Sequence, residues 1–343
     1  MNTPQFRSIK VPLFIKIDQD LQIYRILDEY NINFDNSLIV TTKNTKNRLE
    51  DKLFENLENN FYFVSENSID EGDKLIADIN KNKYDLLICI GGGRVLDIGK
   101  YSASKTKLNF VSVPTTPSND GIASPIAVLK NKEGQTESLG VNMPLGIIVD
   151  LEILKSAPVE NIKAGTGDLL SNFSALKDWK LSGEKIDDFA ASLAYSAADL
   201  MYGKFAQNMK VELNSENFLK TLVNGLILSG IAMNIAGTSR PCSGAEHEIS
   251  HAIDELFPGR SMHGLQVALG VLIAQKMRGD NFENYKNFFK SIGLPTKPED
   301  IDLTTDELVK AIDYAPQTRP DRITILEKQK LNKKQISELI KTL

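Results

Sequence analysis

Over the first 150 residues, short β-branched and aromatic runs alternate with amphipathic stretches. Ser37–Thr41 (SLIVT), Phe61–Ser65 (FYFVS), Asp85–Ile90 (DLLICI), Asn109–Val113 (NFVSV) and Gly146–Val149 (GIIV) predict strands. Lys46–Asn59 and Ile69–Lys83 predict helices between them. Strands that alternate with helices imply βαβ units and a largely parallel sheet. Beyond about Leu151 the β-branched runs thin out. Helix-compatible stretches take over at Glu152–Ser156, Glu184–Asn208, Ser215–Ala236 and His263–Arg278. The pattern predicts an α/β protein with an N-terminal, Rossmann-like parallel-sheet domain over 1–155 and an all-helical domain over 156–343. No repeat or low-complexity linker separates the two, so a tight joint with a ligand-binding cleft is expected.

Composition narrows the class. A chain of 343 residues fits two domains, and 41% hydrophobic with 25% charged residues is ordinary for a globular protein. A net charge of −5 argues against a general nucleic-acid binder, because counterion release needs a basic face. Local basic residues could still hold a phosphate. Cys89 lies in an apolar run and reads as a core residue, and Cys242 has no CxxC partner. A disulfide framework is therefore not expected, and a reducing, cytoplasmic setting is. The N-terminal segment has no signal-peptide core. The most apolar stretch, Gly225–Gly237, is interrupted by Ser229 and Asn234 and reads as too short for a membrane span.

The candidate chemistry lies in four windows. All 3 histidines fall between 247 and 263: His247, His251 and His263. His247 and His251 stand four apart and share one face of a helix. This clustering predicts a metal site, since imidazole is the commonest transition-metal ligand. The literal pattern His247-Glu248-x-x-His251 also permits a metalloprotease helix, the less favoured reading. Strand Asp85–Ile90 runs into Gly91-Gly92-Gly93-Arg94-Val95-Leu96-Asp97. Three glycines permit positive φ and close backbone approach, and a helix from near Val95 would aim its positive end at a phosphate. Neither GxGxxG nor the P-loop pattern is matched, and a plain tight turn is the alternative. Thr115-Thr116-Pro117-Ser118-Asn119-Asp120, continuing to Ser124, offers hydroxyls for a nucleotide and a carboxylate for a substrate hydroxyl; capping residues of a turn would look the same. Asp168, in Ala164-Gly165-Thr166-Gly167-Asp168, sits at an expected helix start. It would either cap that helix or complete a mixed Asp/His metal site with an open position.

Together these windows resemble the sn-glycerol-1-phosphate dehydrogenase family, within the group that holds glycerol dehydrogenase, iron-containing alcohol dehydrogenases and dehydroquinate synthase. The resemblance runs from about Asp85 to Leu326. It rests on GGGRVLDIGKYSA, PTTPSNDGIASPIA, AGTGDLLSNFSALKDW, RPCSGAEHEISHAIDE, MHGLQVALG and TRPDRITILE. It implies a dehydroquinate synthase-like fold. It matches the family's metal ligands to Asp168, His247 and His263, and its substrate contacts to Asp120, Asp168 and His251. Dinucleotide contacts fall on Gly93, Arg94, Val95, Leu96, Asp97, Thr115, Thr116, Pro117, Ser118 and Ser124. One departure is Leu265, where the family often has Glu.

The implied activity is NAD(P)H-dependent reduction of dihydroxyacetone phosphate to sn-glycerol 1-phosphate. Zinc is the first choice of metal, with Fe2+ or Ni2+ also suited to imidazole and carboxylate. The partner is a small phosphorylated substrate, without nucleic acid or membrane, and a homo-oligomer is expected. Another polyol or polyol-phosphate dehydrogenase of the group is the main rival. A dehydroquinate synthase-like cyclase and a catalytically dead nucleotide-binding regulator are the others. Strand Ser37–Thr41 ends in Thr42-Lys43-Asn44-Thr45-Lys46, with no acid before Glu50. That composition predicts NADPH use at least equal to NADH, since an acid there would repel a 2′-phosphate.

Overall fold

The computed structural model describes residues 11–54, 60–208, 210–280 and 282–343. Two compact units form. One holds residues up to Pro114 with Ala123–Val149, and the other Thr115–Ile122 with Asp150–Leu343.

The first unit contains β1 (Phe14–Asp18), α1 (Ile23–Glu29), β2 (Ser37–Thr41), α2 (Lys43–Arg48), β3 (Asn60–Phe63), α3 (Ile69–Asn82), β4 (Leu86–Gly91), α4 (Gly93–Thr106), β5 (Asn109–Pro114), β6 (Ile126–Lys130), β7 (Thr136–Gly140) and β8 (Gly146–Asp150). Six strands form one sheet in the order β1-β8-β5-β4-β2-β3. The pairs from β8 to β3 run parallel, with Ile39 opposite Ile88 and Ile88 opposite Val111. Every residue of β2, β4 and β8 is buried, which is why these strands read as unbroken apolar runs. The chain leaves β2 for β3 on one side and β4 for β5 on the other. The carboxyl ends of β2 and β4 therefore flank the topological switch point, where open α/β sheets bind ligands.

Several expectations are corrected here. The helix after the glycines starts at Gly93 rather than Val95, and none of Gly91, Gly92 and Gly93 has positive φ. Gly91 is required by packing instead, since a Cβ there would lie 2.6 Å from Val95. The helix expected over Lys46–Asn59 divides into α2 and a π-helical turn, Glu50–Phe54; 55–59 lie outside the described residues. The hairpin β6–β7 escaped the sequence reading because its strands are only five residues long and their burial alternates without a matching polar–apolar alternation in IAVLK and TESLG. Ala127 and Leu129 of β6 pack into the core against Val95 and Leu96.

The second unit is helical: α5 (Leu151–Lys155), α6 (Val159–Ser182), α7 (Asp188–Phe205), α8 (Glu216–Ala236), α9 (Ala245–Leu256), α10 (His263–Arg278), α11 (Phe282–Ile292), α12 (Thr305–Thr318), α13 (Ile325–Gln329) and α14 (Lys333–Lys341). Asp168 does not cap a helix start but lies in the middle of α6. Gly165 and Gly167 are notches for close contact. A Cβ on Gly165 would lie 1.7 Å from the Pro117 carbonyl oxygen, and one on Gly167 2.3 Å from that of Gly264. Among the described residues α8 alone is long and apolar enough to cross a membrane, longer than the Gly225–Gly237 run suggested. Of its most apolar window, 67% is buried.

Candidate active site

Three helices of the second unit converge on one point. Gly167 of α6 and Gly264 of α10 are reciprocal notches, since a Cβ on Gly264 would lie 2.0 Å from the Ala164 carbonyl oxygen. Their chain neighbours are Asp168 and His263, so the close crossing brings those two side chains together. α9 supplies His247 from its first turn. Its start is fixed by Asp178, whose Oδ2 accepts the Ala245 N–H at 2.8 Å.

Asp168 Oδ1 lies 3.5 Å from His247 Nε2 and 3.9 Å from His263 Nε2. One donor atom from each residue falls within 4.8 Å of the other two. Tetrahedral zinc with bonds near 2.1 Å sets ligand atoms about 3.4 Å apart, so both carboxylate edges are close to bonding size. The remaining ring nitrogens are tied back. His247 Nδ1 meets Glu246 Oε1 at 3.1 Å. His263 Nδ1 meets Ser250 Oγ at 2.8 Å, and that hydroxyl donates to Gln266 Oε1 at 2.7 Å. This network places a proton on Nδ1 in both rings and turns both Nε2 atoms toward Asp168, where a metal would take them once His247 gives up its Nε2 proton. Leu265, where the family often has Glu, is buried, and Ser250 and Gln266 position His263.

Charge is concentrated at this point. Burial alone would lower the His247 pKa, but its hydrogen bonds to Asp168 and Glu246 prevail and raise it to about 9. Burial and the neighbouring His247 charge push His263 down to about 4. Burial would raise the pKa of Asp168; the hydrogen bond and charge of His247, with the Asp120 N–H, hold it below the usual carboxylate range. A carboxylate facing two imidazole Nε2 atoms suits a divalent cation that displaces the His247 proton.

Asp120 opens a 3-10 turn, Asp120–Ile122, and its backbone N–H donates to Asp168 Oδ2 at 2.9 Å. His251 lies one turn beyond His247, its ring 6.3 Å from that of His263. It is outside the donor group: its Nε2 faces Arg319 Nη2 at 3.1 Å. Burial, then the Arg319 charge, pushes its pKa well below 6.5, so the ring is neutral with its hydrogen on Nδ1. Glu248 faces another partner. Its Oε2 accepts from the Thr324 hydroxyl at 3.0 Å, and burial with the Glu327 charge raises its pKa to about 9. A metalloprotease would need His247 and His251 as paired ligands with Glu248 as the base; here His247 groups with Asp168 and His263 instead.

Gly93 to Asp97 and Ser124 belong to the first unit, and Thr115 to Ser118 to the second. Gly92 gives α4 no side-chain cap, which leaves its N-terminal end open to an anion. The Val95 and Leu96 side chains are buried, and their N–H groups both reach the Gly92 carbonyl. Asp97 pairs with the buried Lys100 at 2.8 Å. Burial raises its pKa, and the Lys100 charge opposes the rise. Arg94 donates to the Ser65 carbonyl at 3.1 Å. Lys100 Nζ also reaches the buried Ser124 Oγ at 3.5 Å. Thr115 is buried, and the Pro117 carbonyl packs on Gly165. At the end of β2, Thr42 caps α2 and Lys46 pairs with Glu50 at 2.7 Å, leaving Lys43 exposed.

Sequence reasoning missed Glu246, Ser250, Gln266, Arg319 and Arg322. Glu246 and Ser250 lie within the histidine window, but nothing local to either distinguishes it from a solvated helix residue. The TRPDR segment contributed to the resemblance without suggesting a role.

Residues 20–158 match the family model for iron-containing alcohol dehydrogenases. The chain is 35% identical to a glycerol-1-phosphate dehydrogenase (NAD(P)+) of Archaeoglobus fulgidus over 98% of both chains. It is 39% identical to that of Saccharolobus islandicus over 84% of both. Among solved structures, a probable glycerol dehydrogenase from Sinorhizobium meliloti shares the fold at a TM-score of 0.78 and 22% identity, with 98% of this chain and 97% of that one covered.

Proposed function

The chain belongs to the glycerol-1-phosphate dehydrogenase family, and on that premise we propose that it reduces dihydroxyacetone phosphate to sn-glycerol 1-phosphate with NADH or NADPH. The observation that carries this reading is the group Asp168, His247 and His263, whose outward Nδ1 atoms are tied to Glu246 and Ser250. These three residues would hold a divalent cation, with zinc favoured by the nitrogen and oxygen donor set and iron or nickel next. When bound, the cation supplies a Lewis acid for the substrate carbonyl and the nicotinamide supplies the hydride.

The chain's own residues orient and exclude. Asp168 and the Asp120 backbone N–H fix each other at 2.9 Å, which sets the substrate-facing turn against the metal group. The Asp120 carboxylate accepts a hydrogen bond from a substrate hydroxyl. His251, neutral and held through Nε2 by Arg319, presents its Nδ1–H as a donor to a substrate oxygen. Gly93 and Arg94, at the uncapped end of α4, bind the dinucleotide pyrophosphate through backbone N–H groups, and Thr115 to Ser118 and Ser124 add contacts along the cofactor.

The test combines metal analysis of the purified chain with NAD(P)H oxidation on dihydroxyacetone phosphate and dihydroxyacetone, and NAD(P)+ reduction on glycerol. Bound stoichiometric metal, a kcat/KM far higher for the phosphorylated ketone and a product of sn-1 configuration are expected. Preference for the unphosphorylated pair would replace this reading with a glycerol dehydrogenase.

A further inference from the structure

A buried ammonium in the first unit has so far been given no task. The hairpin β6–β7 is not part of the six-stranded sheet but forms a two-stranded sheet of its own. A lone hairpin is marginally stable in water and needs something to dock on. The Val141 N–H donates to the Pro125 carbonyl at 2.9 Å, and the Asn131 N–H to the Gln135 carbonyl at 2.8 Å. Alternation along β6 therefore turns the backbone groups of Ile126, Val128 and Lys130 away from β7. Asn67 takes one end of that outer edge. Its side-chain amide donates to the Val128 carbonyl at 2.9 Å, and its own carbonyl accepts the Lys130 N–H at 3.0 Å. α4 takes the other end, where Asp97 accepts the Val128 N–H and Lys100 donates to the Ile126 carbonyl. Lys100 is 0% exposed, and burying an ammonium is costly unless it is paired and hydrogen-bonded. A neutral amide serves one carbonyl well enough, as Asn67 shows. An ammonium offers three donors. Here they meet Asp97 Oδ1 at 2.8 Å, the Ile126 carbonyl and Ser124 Oγ at 3.5 Å. With its oxygen turned to Lys100, the Ser124 hydroxyl must aim its hydrogen elsewhere. The acceptor within the chain is the Ile126 carbonyl, at 3.3 Å and already engaged by Lys100.

We propose that Lys100 is a positioning residue of the dinucleotide site: with Asp97 as its counter-ion it docks the free edge of β6 on α4 and orients the Ser124 hydroxyl as a donor to the cofactor. The Asp97 carboxylate, expected from the resemblance to touch the dinucleotide, acts instead through Lys100 and β6. The assignment rests on the dinucleotide reading above, so the docking is measured separately. NADH and NADPH affinity by fluorescence titration, and amide exchange of the segment 126–130 by mass spectrometry, are compared in the full-length parent, Lys100→Met, Asp97→Asn, Ser124→Ala and the Lys100→Met/Ser124→Ala double variant. Lys100→Met should speed exchange of the segment and weaken NADH about tenfold, the size of one lost hydrogen bond. Ser124→Ala should weaken NADH while exchange stays parental. Once Ser124 is gone, Lys100→Met should cost little further affinity, because the two act through one hydroxyl. Asp97→Asn should speed exchange as Lys100→Met does. If Lys100→Met fails to fold, Lys100→Gln, which keeps a donor without the charge, takes its place in the same cycle. Losses that add within about twofold would make Lys100 a purely structural residue and overturn the proposal. So would parental exchange in Lys100→Met, or weaker NADH binding with parental exchange in Asp97→Asn, which would return Asp97 to direct cofactor contact. A parent that binds neither NADH nor NADPH sinks the dinucleotide reading, and faster exchange in Lys100→Met would then leave only the docking of β6 standing.

Discussion

His247 and His263 face the same point with opposite proton affinities, because only His247 has a carboxylate on each ring nitrogen. Metal binding must displace the proton that His247 holds below about pH 9, whereas His263, pushed to about 4, is already neutral. Calorimetry of zinc binding to apoprotein at pH 7.5, in buffers of different ionisation enthalpy, should show release of about one proton per ion. No release would contradict the charge state assigned to His247. In the apoprotein the raised His247 pKa stabilises the fold fully below its unfolded value of 6.5, and that contribution fades as pH rises through about 9. His247→Ala and His263→Ala should lose metal and activity together. His251→Ala should retain metal and lose turnover, because its Nε2 is occupied by Arg319. Equal metal loss in all three variants would make His251 a ligand.

At the level of elements, glycines govern the site through contact distance. Gly264→Ala would place a Cβ 2.0 Å from a backbone oxygen of α6, and neither helix can yield without separating Asp168 from His263. Overpacking of this kind costs about 1–3 kcal/mol. The variant should therefore melt earlier and, even where folded, bind metal more weakly; parental metal content and Tm would show that the crossing has slack. Gly93→Val should weaken dinucleotide binding in fluorescence titration, since the first turn of α4 is the proposed pyrophosphate site. Unchanged affinity would reduce the glycine turn to a structural role. At the end of β2, Thr42 serves as a cap and Lys46 is engaged by Glu50, so the expected NADPH use now depends on Lys43. NADPH should still match NADH in kcat/KM. A preference for NADH above roughly tenfold, or about 1.4 kcal/mol, would count against any 2′-phosphate contact there.

Across the whole molecule, one buried ion pair ties four helices of the second unit together. Asp178 of α6 pairs with Arg278 of α10 at 2.6 Å and accepts backbone N–H groups at the starts of α9 and α13. Asp178→Ala would leave Arg278 buried without its partner and the Ala245 and Ile325 N–H groups without their acceptor, a change worth about 3–5 kcal/mol. Chemical denaturation should show that loss. Asp178→Leu combined with Arg278→Met should recover part of it by removing the orphaned charge. A single-variant loss below about 1 kcal/mol would place the stability of the helical unit elsewhere.

What the sequence determined by itself was whatever depends on near neighbours. Strand runs such as SLIVT and DLLICI reflect burial on both faces of a parallel sheet, and α10 was legible to its last residue because Gly279 ends it in the left-handed region. The histidine window was legible because four-residue spacing puts His247 and His251 on one face. Tertiary structure alone decided what long-range contact decides. It turned Asp168 from an apparent cap into a mid-helix residue facing two imidazoles, because the glycines beside it are notches whose occupants, Pro117 and Gly264, lie far away in sequence. It separated His247 from His251 by giving one ring carboxylates and the other an arginine. It also gathered Arg319 and Arg322 around Ser243, which no local pattern could indicate. Periodicity records which face of an element is buried; only packing records what lies against it.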